Sequence, residues 1–321
     1  MARRAVAVGV GRYLPARIVS NAELEKSLDT SDEWIRTRSG IERRHIAEGK
    51  ETTSWMGAEA AKQALAYAKL DVGDIDAIIL ATSTADLTFP SAATLIQAEL
   101  GMTHGFAFDV QAVCAGFVYA MTTANLMILS SQAERVLVIG SETFSKIMDW
   151  TDRSTCVLFG DGAGAVVLES QEEAATSSGI IATDLRSDGR YSELLYVDGG
   201  VSTQMTGYLR MNGGQVFRHA IEKLADTAET ALQKAGLTAD DVDWLVPHQA
   251  NIRIIHGTAR KLNVPTERIL VTVQDHGNTS AASIPLALSV GVESGCIKSG
   301  DILLTEAIGG GLAWGSVILR W

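Results

Sequence analysis

One stretch of this chain is used twice. Ala61, Ala64, Leu65, Ala68, Leu70, Asp74, Ile75 and Asp76 match Ala228, Ala231, Leu232, Ala235, Leu237, Asp241, Val242 and Asp243 at a single offset (243 − 76 = 167). Ile78 and Ile79 then face Leu245 and Val246 across the same offset. A helix, a turn and a strand recur without a gap, which points to internal duplication. At 321 residues the chain is too long for one minimal core and suits two related halves.

The remaining pattern fits that frame. Residues 5–10 read as a strand, and Ser20 to Lys26 as a short helix capped by Ser20 or Asn21 with Glu23 in its first turn. Trp34 to His45 is polar and rich in arginine (Arg36, Arg38, Arg43, Arg44) and reads as a solvated surface. A helix is expected over Ser54–Ala68, followed by a buried strand over Ala77–Ala81. Val136–Ile139 and Ala165–Leu168 are strand-like, answered in the second half by Ile302–Thr305 and Ser316–Leu319. Helices alternating with apolar strands imply parallel sheets covered by helices. Two such halves, 1–174 and 175–321, imply an α/β body of five layers, α-β-α-β-α. No Pro/Gly/Ser-rich linker separates them, so the join falls within Gln171–Ser178.

Composition excludes several classes. A net charge of −11 argues against a general nucleic-acid or anionic-membrane binder. Cys114, Cys156 and Cys296 are few and widely spaced, which suggests a reducing, cytoplasmic compartment without disulfides or a C-x-x-C metal signature. The start, Met-Ala-Arg-Arg before Ala-Val-Ala-Val-Gly-Val, has too short an apolar run for a signal peptide and reads as strand and turn. The apolar region 105–129 carries Asp109, Gln111 and Asn125, which suits a helix buried in protein better than one in lipid.

Within that region, Phe106 to Tyr119 reads as a strand, a turn at Asp109–Gln111 and a helix running to Leu129, with Cys114 near the first helical turn. A helix N-terminus stabilises a thiolate and is expected to lower the thiol pKa. A small inert cysteine in a core helix reads equally well from this stretch alone. His248 follows the second-half strand Trp244–Pro247, at the carboxyl end where open α/β sheets bind ligands. The offset sets Cys114 against Ala281, within His276-Gly-Asn-Thr-Ser-Ala-Ala-Ser283, another small-residue turn opening a helix. Duplication therefore brings Cys114, His248 and Asn278 to equivalent element ends facing one pocket: a nucleophile, a base or donor, and a neutral donor.

With these residues assembled, the sequence resembles the β-ketoacyl-acyl carrier protein synthase III family of thiolase-like condensing enzymes. The resemblance rests on Thr30–Ile35, Phe89–Ala93, the Cys114 turn, Thr151-Asp-Arg153, Phe159–Ala165, Val246-Pro-His-Gln-Ala-Asn251, His276–Ala282 and Gly309–Gly311. Elongating relatives carry a second histidine where Asn278 stands. The resemblance implies a thiolase-like duplicated fold and a cofactor-free homodimer, with acyl-CoA as substrate and no metal. It implies that Cys114 takes an acyl group from acyl-CoA and that malonyl-acyl carrier protein then loses CO2. His248 and Asn278 would hold the enolate oxygen, and the backbone N–H groups of Cys114 and Gly310 the tetrahedral oxyanion. For Gly310 a tight turn between terminal strands is an equally good structural reading.

The resemblance also implies that Trp34 and Arg153 sandwich the CoA adenine while Arg38 and Arg253 meet phosphates, although each is also an ordinary surface residue by composition. Arg253, Arg260 and Lys261 lie in a stretch without acids from His248 to Thr266, which suits docking of an acidic carrier protein or simply a solvated helix face. Phe89 is expected to close the partner protomer's acyl pocket, or else to be core. Val113 and Leu312 replace residues that are often alanine and phenylalanine in the family; both are candidates for the acyl pocket, leaving primer length and branching open. Phe159-Gly-Asp-Gly-Ala-Gly-Ala165 imitates a dinucleotide loop, but Ala165–Leu168 after it reads as strand, against a phosphate cradle. Three other readings remain: a secondary-metabolite condensing enzyme with another primer or extender, a cysteine hydrolase using Cys114 and His248, and a non-catalytic partner subunit.

Overall fold

The computed structural model describes residues 2–321. The first half runs β1 (Arg3–Tyr13), a hairpin of β2 (Arg17–Ser20) and β3 (Arg43–Ile46) enclosing α1 (Asn21–Leu24) and α2 (Asp32–Ser39), then α3 (Thr53–Ala68), β4 (Ala77–Ala81), α4 (Ala92–Glu99), β5 (Phe106–Val110), α5 (Gly116–Leu129), β6 (Arg135–Glu142) and β7 (Gly162–Glu172). The second runs β8 (Gly179–Ser187), a small ribbon of β9 (Leu195–Val197) and β10 (Leu209–Met211), α6 (Gly213–Ala235), β11 (Trp244–Pro247), α7 (Ile252–Lys261), α8 (Val273–His276), α9 (Ser283–Glu293), β12 (Ile302–Gly309) and β13 (Ala313–Arg320).

The duplication is visible in the sheets. The first has order β1-β7-β6-β4-β5 and the second β11-β12-β13-β8, so β4, β6, β7 and β1 answer β11, β12, β13 and β8 in the same sequence of neighbours. The place of β5 is filled in the second half by one parallel bridge, Leu245 to Ile269. The sheets are mixed and not wholly parallel as the alternation of elements implied. β4 is parallel to β5 and β6, whereas β7 runs antiparallel to both β6 and β1. In the second half only residues 310–312 join β12 to β13, and so short a link permits only an antiparallel hairpin.

Helices α3 and α4 cover the outer face of the first sheet and α6 that of the second, with α7 packed beside α6 and sharing its core through Ile255 and Ala259. Between the sheets lie α5 and α9, largely apolar and buried along most of their length, with only Leu126 and Leu129 of α5 and Glu293 of α9 exposed. Phe117 and Met121 of α5 share one core with Ile284 and Leu288 of α9, Val138 and Val166 of one sheet, and Leu303 and Val317 of the other. That shared layer is why no linker parts the halves. Phe117, 1% exposed at its centre, would cost about 3–5 kcal/mol on truncation to alanine. Close packing of α3 on β1 requires Gly11, where a Cβ would lie 2.3 Å from the Ala60 carbonyl oxygen.

Two expectations are corrected here. The arginine-rich segment is not uniformly solvated, because strand periodicity in β3 turns Arg43 outward and Arg44 inward, leaving Arg44 0% exposed. α5 begins at Gly116, so Cys114 sits in a single 3-10 turn, Val113–Ala115, just ahead of the helix. Gly162 opens β7, so the glycine-rich segment before it leads into a strand, as its apolar sequel indicates.

Candidate active site

A cavity of about 380 Å³ opens between the halves, lined by Cys114, His248 and Asn278 together with Trp34, Arg38, Phe159, Phe217, Arg253 and Ile308. The first three are 3%, 4% and 6% exposed, whereas Arg38 and Arg253 are solvent-exposed. The cavity is therefore apolar and polar-tipped at its base and cationic at its mouth.

Cys114 is fixed from several sides. Asp109 of β5 accepts N–H bonds of 2.8 Å from both Ala92 and Ala93, tying the strand before the turn to the start of α4. Val113 adopts φ 48°, a left-handed conformation costly for a β-branched residue, and delivers Cys114 into the cavity wall. The backbone nitrogen of Cys114 lies against Gly309 so closely that a Cβ on residue 309 would approach it to 2.7 Å. Burial is the largest influence on the thiol and leaves its pKa pushed up to about 12, the Ser280 hydroxyl acting to lower it and the adjacent Glu142 carboxyl to raise it. The expectation that the helix terminus lowers this pKa is overturned: loss of solvent outweighs it, and the thiol rests protonated.

His248 leaves β11 with its N–H bonded to the Glu306 carbonyl oxygen at 2.8 Å. Its Nδ1 lies 2.6 Å from Ser283 Oγ, and burial lowers its pKa to about 3, so the ring is neutral. Gln249, 1% exposed, donates to the carbonyls of Pro247 and Leu270 and accepts from the N–H groups of Thr272 and Val273, locking the turn that carries the histidine. Asn278 is held by its main chain, donating to Leu158 O at 2.9 Å and accepting from Gly160 N–H at 3.0 Å. Its Oδ1 accepts the Ser280 N–H at 2.9 Å, which leaves the Nδ2 donors without a protein acceptor among the described residues.

Ser280 thus donates its N–H to Asn278 and its hydroxyl to Glu142 at 3.1 Å, next to the thiol whose ionisation it influences. Glu142 also accepts from Thr82, Ser83 and Thr84, and burial raises its pKa to about 7. Nothing in the local sequence pattern assigns a role to Glu142, Ser280, Ser283 or Gln249. The signal for Glu142 was an acid ending an apolar strand; Ser280 and Ser283 lay inside the turn already singled out.

Other expected site residues are placed variously. Arg38 and Arg153 lie over the Trp34 ring, their guanidinium carbons 4.5 and 5.5 Å from its centroid, and Arg153 also bonds Asp29. Arg253 covers the Phe217 ring at 5.2 Å. Gly310 follows Gly309 and packs on the Leu195 carbonyl, where a Cβ would come within 2.6 Å. Arg260 and Lys261 are exposed at the end of α7, away from the cavity lining. Leu312, 1% exposed, stands behind the wall, clustered with Ala220, Ile254, Ile308 and Trp314, of which Ala220, Ile254 and Ile308 reach the cavity. Phe89 is 83% exposed, so within this chain it is neither core nor part of this cavity.

Known proteins match this arrangement across the chain. Residues 108–189 match the family described as 3-Oxoacyl-[acyl-carrier-protein (ACP)] synthase III, and residues 232–321 its C-terminal counterpart. A curated relative, Beta-ketoacyl-[acyl-carrier-protein] synthase III of Ruegeria sp. (strain TM1040), is 72% identical over 323 aligned residues and all of both chains. The solved 3-oxoacyl-[acyl-carrier-protein] synthase III of Aquifex aeolicus VF5 superimposes with a TM-score of 0.94 at 47% identity, covering 99% of this chain and 100% of that one. The corresponding protein of Pseudomonas aeruginosa PAO1 gives a TM-score of 0.94 at 42% identity, covering 99% and 98%.

Proposed function

Because this chain belongs to the 3-oxoacyl-[acyl-carrier-protein] synthase III family of acyl-transferring condensing enzymes, we propose that it joins a short acyl-CoA primer, acetyl-CoA first among them, to malonyl-acyl carrier protein and so initiates fatty acid synthesis. The observation that carries this reading is the convergence of a buried thiol, a neutral imidazole and a free carboxamide donor on one cavity with a cationic, aromatic mouth.

Cys114 sulfur attacks the primer thioester, and CoA leaves as the thiol, carrying away the proton that Cys114 gives up. Malonyl-acyl carrier protein then loses CO2, and the electron pair released becomes an enolate. Charge grows on the thioester oxygen, where His248 and Asn278 each offer a donor. A donor aimed at developing charge in a dry site is worth about a hundredfold or more in rate. The enolate carbon attacks the acyl-cysteine carbonyl, the backbone N–H groups of Cys114 and Gly310 hold the oxyanion, and collapse frees the Cys114 thiolate, which recovers a proton from water. No cofactor enters this sequence, since CoA is a substrate.

The stacked Trp34, Arg38 and Arg153 supply an aromatic face and planar cations for a nucleotide, and Arg253 a further charge for phosphate. Arg253, Arg260 and Lys261 on α7 supply the basic face for the carrier protein. A homodimer is supported by the free edge of β5, with Phe106 and Phe108 stacked along it, and by exposed Leu87 and Phe89 just ahead of α4, whose start is tied to β5 through Asp109. From there Phe89 would reach the partner's acyl pocket, whose wall Leu312 backs. The active halves are 1–174 and 175–321, each with its own sheet. No described helix is long and apolar enough to cross a membrane, and with three free cysteines a cytoplasmic setting is the reading adopted.

The test is to incubate the protein with acetyl-CoA and malonyl-acyl carrier protein and weigh both proteins. An acetyl adduct on Cys114 followed by acetoacetyl-carrier protein supports the reading. Free acetate without a carrier product would instead mark a hydrolase, and no adduct a non-catalytic subunit. Preference for an aromatic or medium-chain primer would move the enzyme to secondary metabolism.

A further inference from the structure

Among the described residues Arg44 is the largest fully buried side chain, 0% exposed, and it has no acidic partner. Its Nη1 donates to Val19 O at 3.2 Å and Asn21 Oδ1 at 2.9 Å, its Nη2 donates to Val157 O at 2.6 Å, and its Nε bonds nothing among the described residues. The nearby Cys156 thiol is itself pushed up to about 11, first by burial, so it provides no counter-charge. Burying a guanidinium on neutral acceptors alone is costly, and an apolar side chain would fill the space more cheaply. Packing therefore does not account for it.

What the guanidinium holds is the segment leading to Asn278. Val157 O receives the shortest of its bonds, and the next residues clamp Asn278: Leu158 O accepts the Asn278 N–H, and Gly160 N–H donates to Asn278 O, with Phe159 bridged to Asn278 in parallel register. The root of the arginine is wedged between the same two strands of backbone. A Cβ added to Gly160 or to Gly277 would sit 3.1 Å from Arg44 Cβ, so glycine at both places admits the side chain. Arg44 does not itself line the cavity, but it pins Val157, which does, and the run from Val157 to Gly160 bonds both peptides flanking Asn278.

We propose that Arg44 is a positioning residue which, by pinning the Val157 carbonyl, sets the direction of the Asn278 carboxamide and with it the rate of malonyl decarboxylation. This rests on the reading of Asn278 as a donor to the enolate. Neither Cys114 nor Trp34 bonds residues 157–160 directly, so a displacement there falls first on Asn278; Arg44 reaches the CoA mouth by a separate route, through Asn21, whose Nδ2 donates to Asp32 at the start of α2.

The test compares Arg44→Met, Arg44→Lys and Asn278→Ala, alone and with Arg44→Met combined with Asn278→Ala. Arg44→Met is expected to lower kcat for decarboxylation of malonyl-acyl carrier protein at least about tenfold, with single-turnover acylation of Cys114 at saturating acyl-CoA within twofold of the parent. Arg44→Lys, which keeps a cation able to reach Val157 O, is expected to recover part of the loss and, should the methionine variant not fold, to show the same selective deficit by itself. In the Asn278→Ala background, Arg44→Met should cost nothing further, because its route to the reaction is gone. Equal losses of acylation and decarboxylation, full decarboxylation by a folded Arg44→Met, or additive losses in the double variant would each overturn the proposal. If Asn278→Ala decarboxylates normally, the fault lies instead in the role given to Asn278.

Discussion

His248 Nδ1 and Ser283 Oγ share a hydrogen bond across 2.6 Å. The direction follows from Gln249, whose N–H already donates to the same hydroxyl at 3.3 Å, leaving the serine proton no other acceptor among the described residues than the imidazole. Nε2 then carries the ring proton and becomes a donor, the state that stabilises an enolate oxygen. Ser283→Ala frees Nδ1 to take that proton. Its expected effect is a loss of about tenfold in kcat for decarboxylation, roughly one hydrogen bond's worth, with Cys114 acylation retained. Release of CO2 from labelled malonyl-acyl carrier protein measures it, and an unchanged kcat would remove the assigned tautomer.

A thiol pushed up to about 12 beside an imidazole lowered to about 3 makes a neutral resting pair, not a thiolate and imidazolium. The rate of Cys114 alkylation by iodoacetamide, read by intact mass, is therefore expected to climb steadily from pH 6 to pH 10. A preformed ion pair would instead give a plateau across neutral pH.

Burial raises the pKa of Glu306 to about 8, and neither of its carboxyl oxygens has a partner among the described residues. A carboxyl whose folded pKa exceeds its unfolded value stabilises fully below that unfolded value of about 4.3, and the contribution is lost as pH rises through about 8. Glu142, raised to about 7, acts in the same sense. His248 and His276, lowered to about 3 and about 4, oppose it only as pH falls below the ordinary histidine range. Glu306→Gln is expected to raise Tm more at pH 8 than at pH 5. An equal or opposite change would contradict the burial assigned to this carboxyl.

At the cavity mouth, Trp34 lies under two guanidinium groups. Trp34→Ala should raise the KM for acyl-CoA by about tenfold, the worth of one aromatic stacking platform, and leave decarboxylation of malonyl-acyl carrier protein unaltered. A parallel fall in both reactions would make Trp34 a structural residue and not a nucleotide contact.

Much of the fold was legible because a repeat carries its own register. Once 61–79 was laid on 228–246, β11, the position of His248 and the kinship of the Cys114 and Asn278 turns followed from one offset. The helix and strand at 53–68 and 77–81 were within a residue of their expected ends, since their apolar periods are clean. What could not be read was set by long-range burial. Arg44 looked solvated because its neighbours in sequence are charged, and only the pairing of β3 with β2 shows which face turns inward. The thiol's pKa moves against expectation for a related reason: a helix terminus is visible in sequence, whereas the desolvation that outweighs it depends on residues far along the chain. β5 lost its counterpart because the duplicate kept only the Leu245–Ile269 bridge, and no local pattern announces a strand so reduced.

The central claim is that one cavity divides labour between a nucleophile from the first half and a pair of donors from the second. The most direct measurement takes Cys114→Ser and Asn278→Ala, each shown to be folded, and follows acyl transfer from acyl-CoA by intact mass alongside CO2 release from malonyl-acyl carrier protein. Cys114→Ser is expected to lose acyl transfer and keep measurable CO2 release, and Asn278→Ala to keep the acyl adduct and lose CO2 release. Equal loss of both half-reactions in both variants would contradict the account.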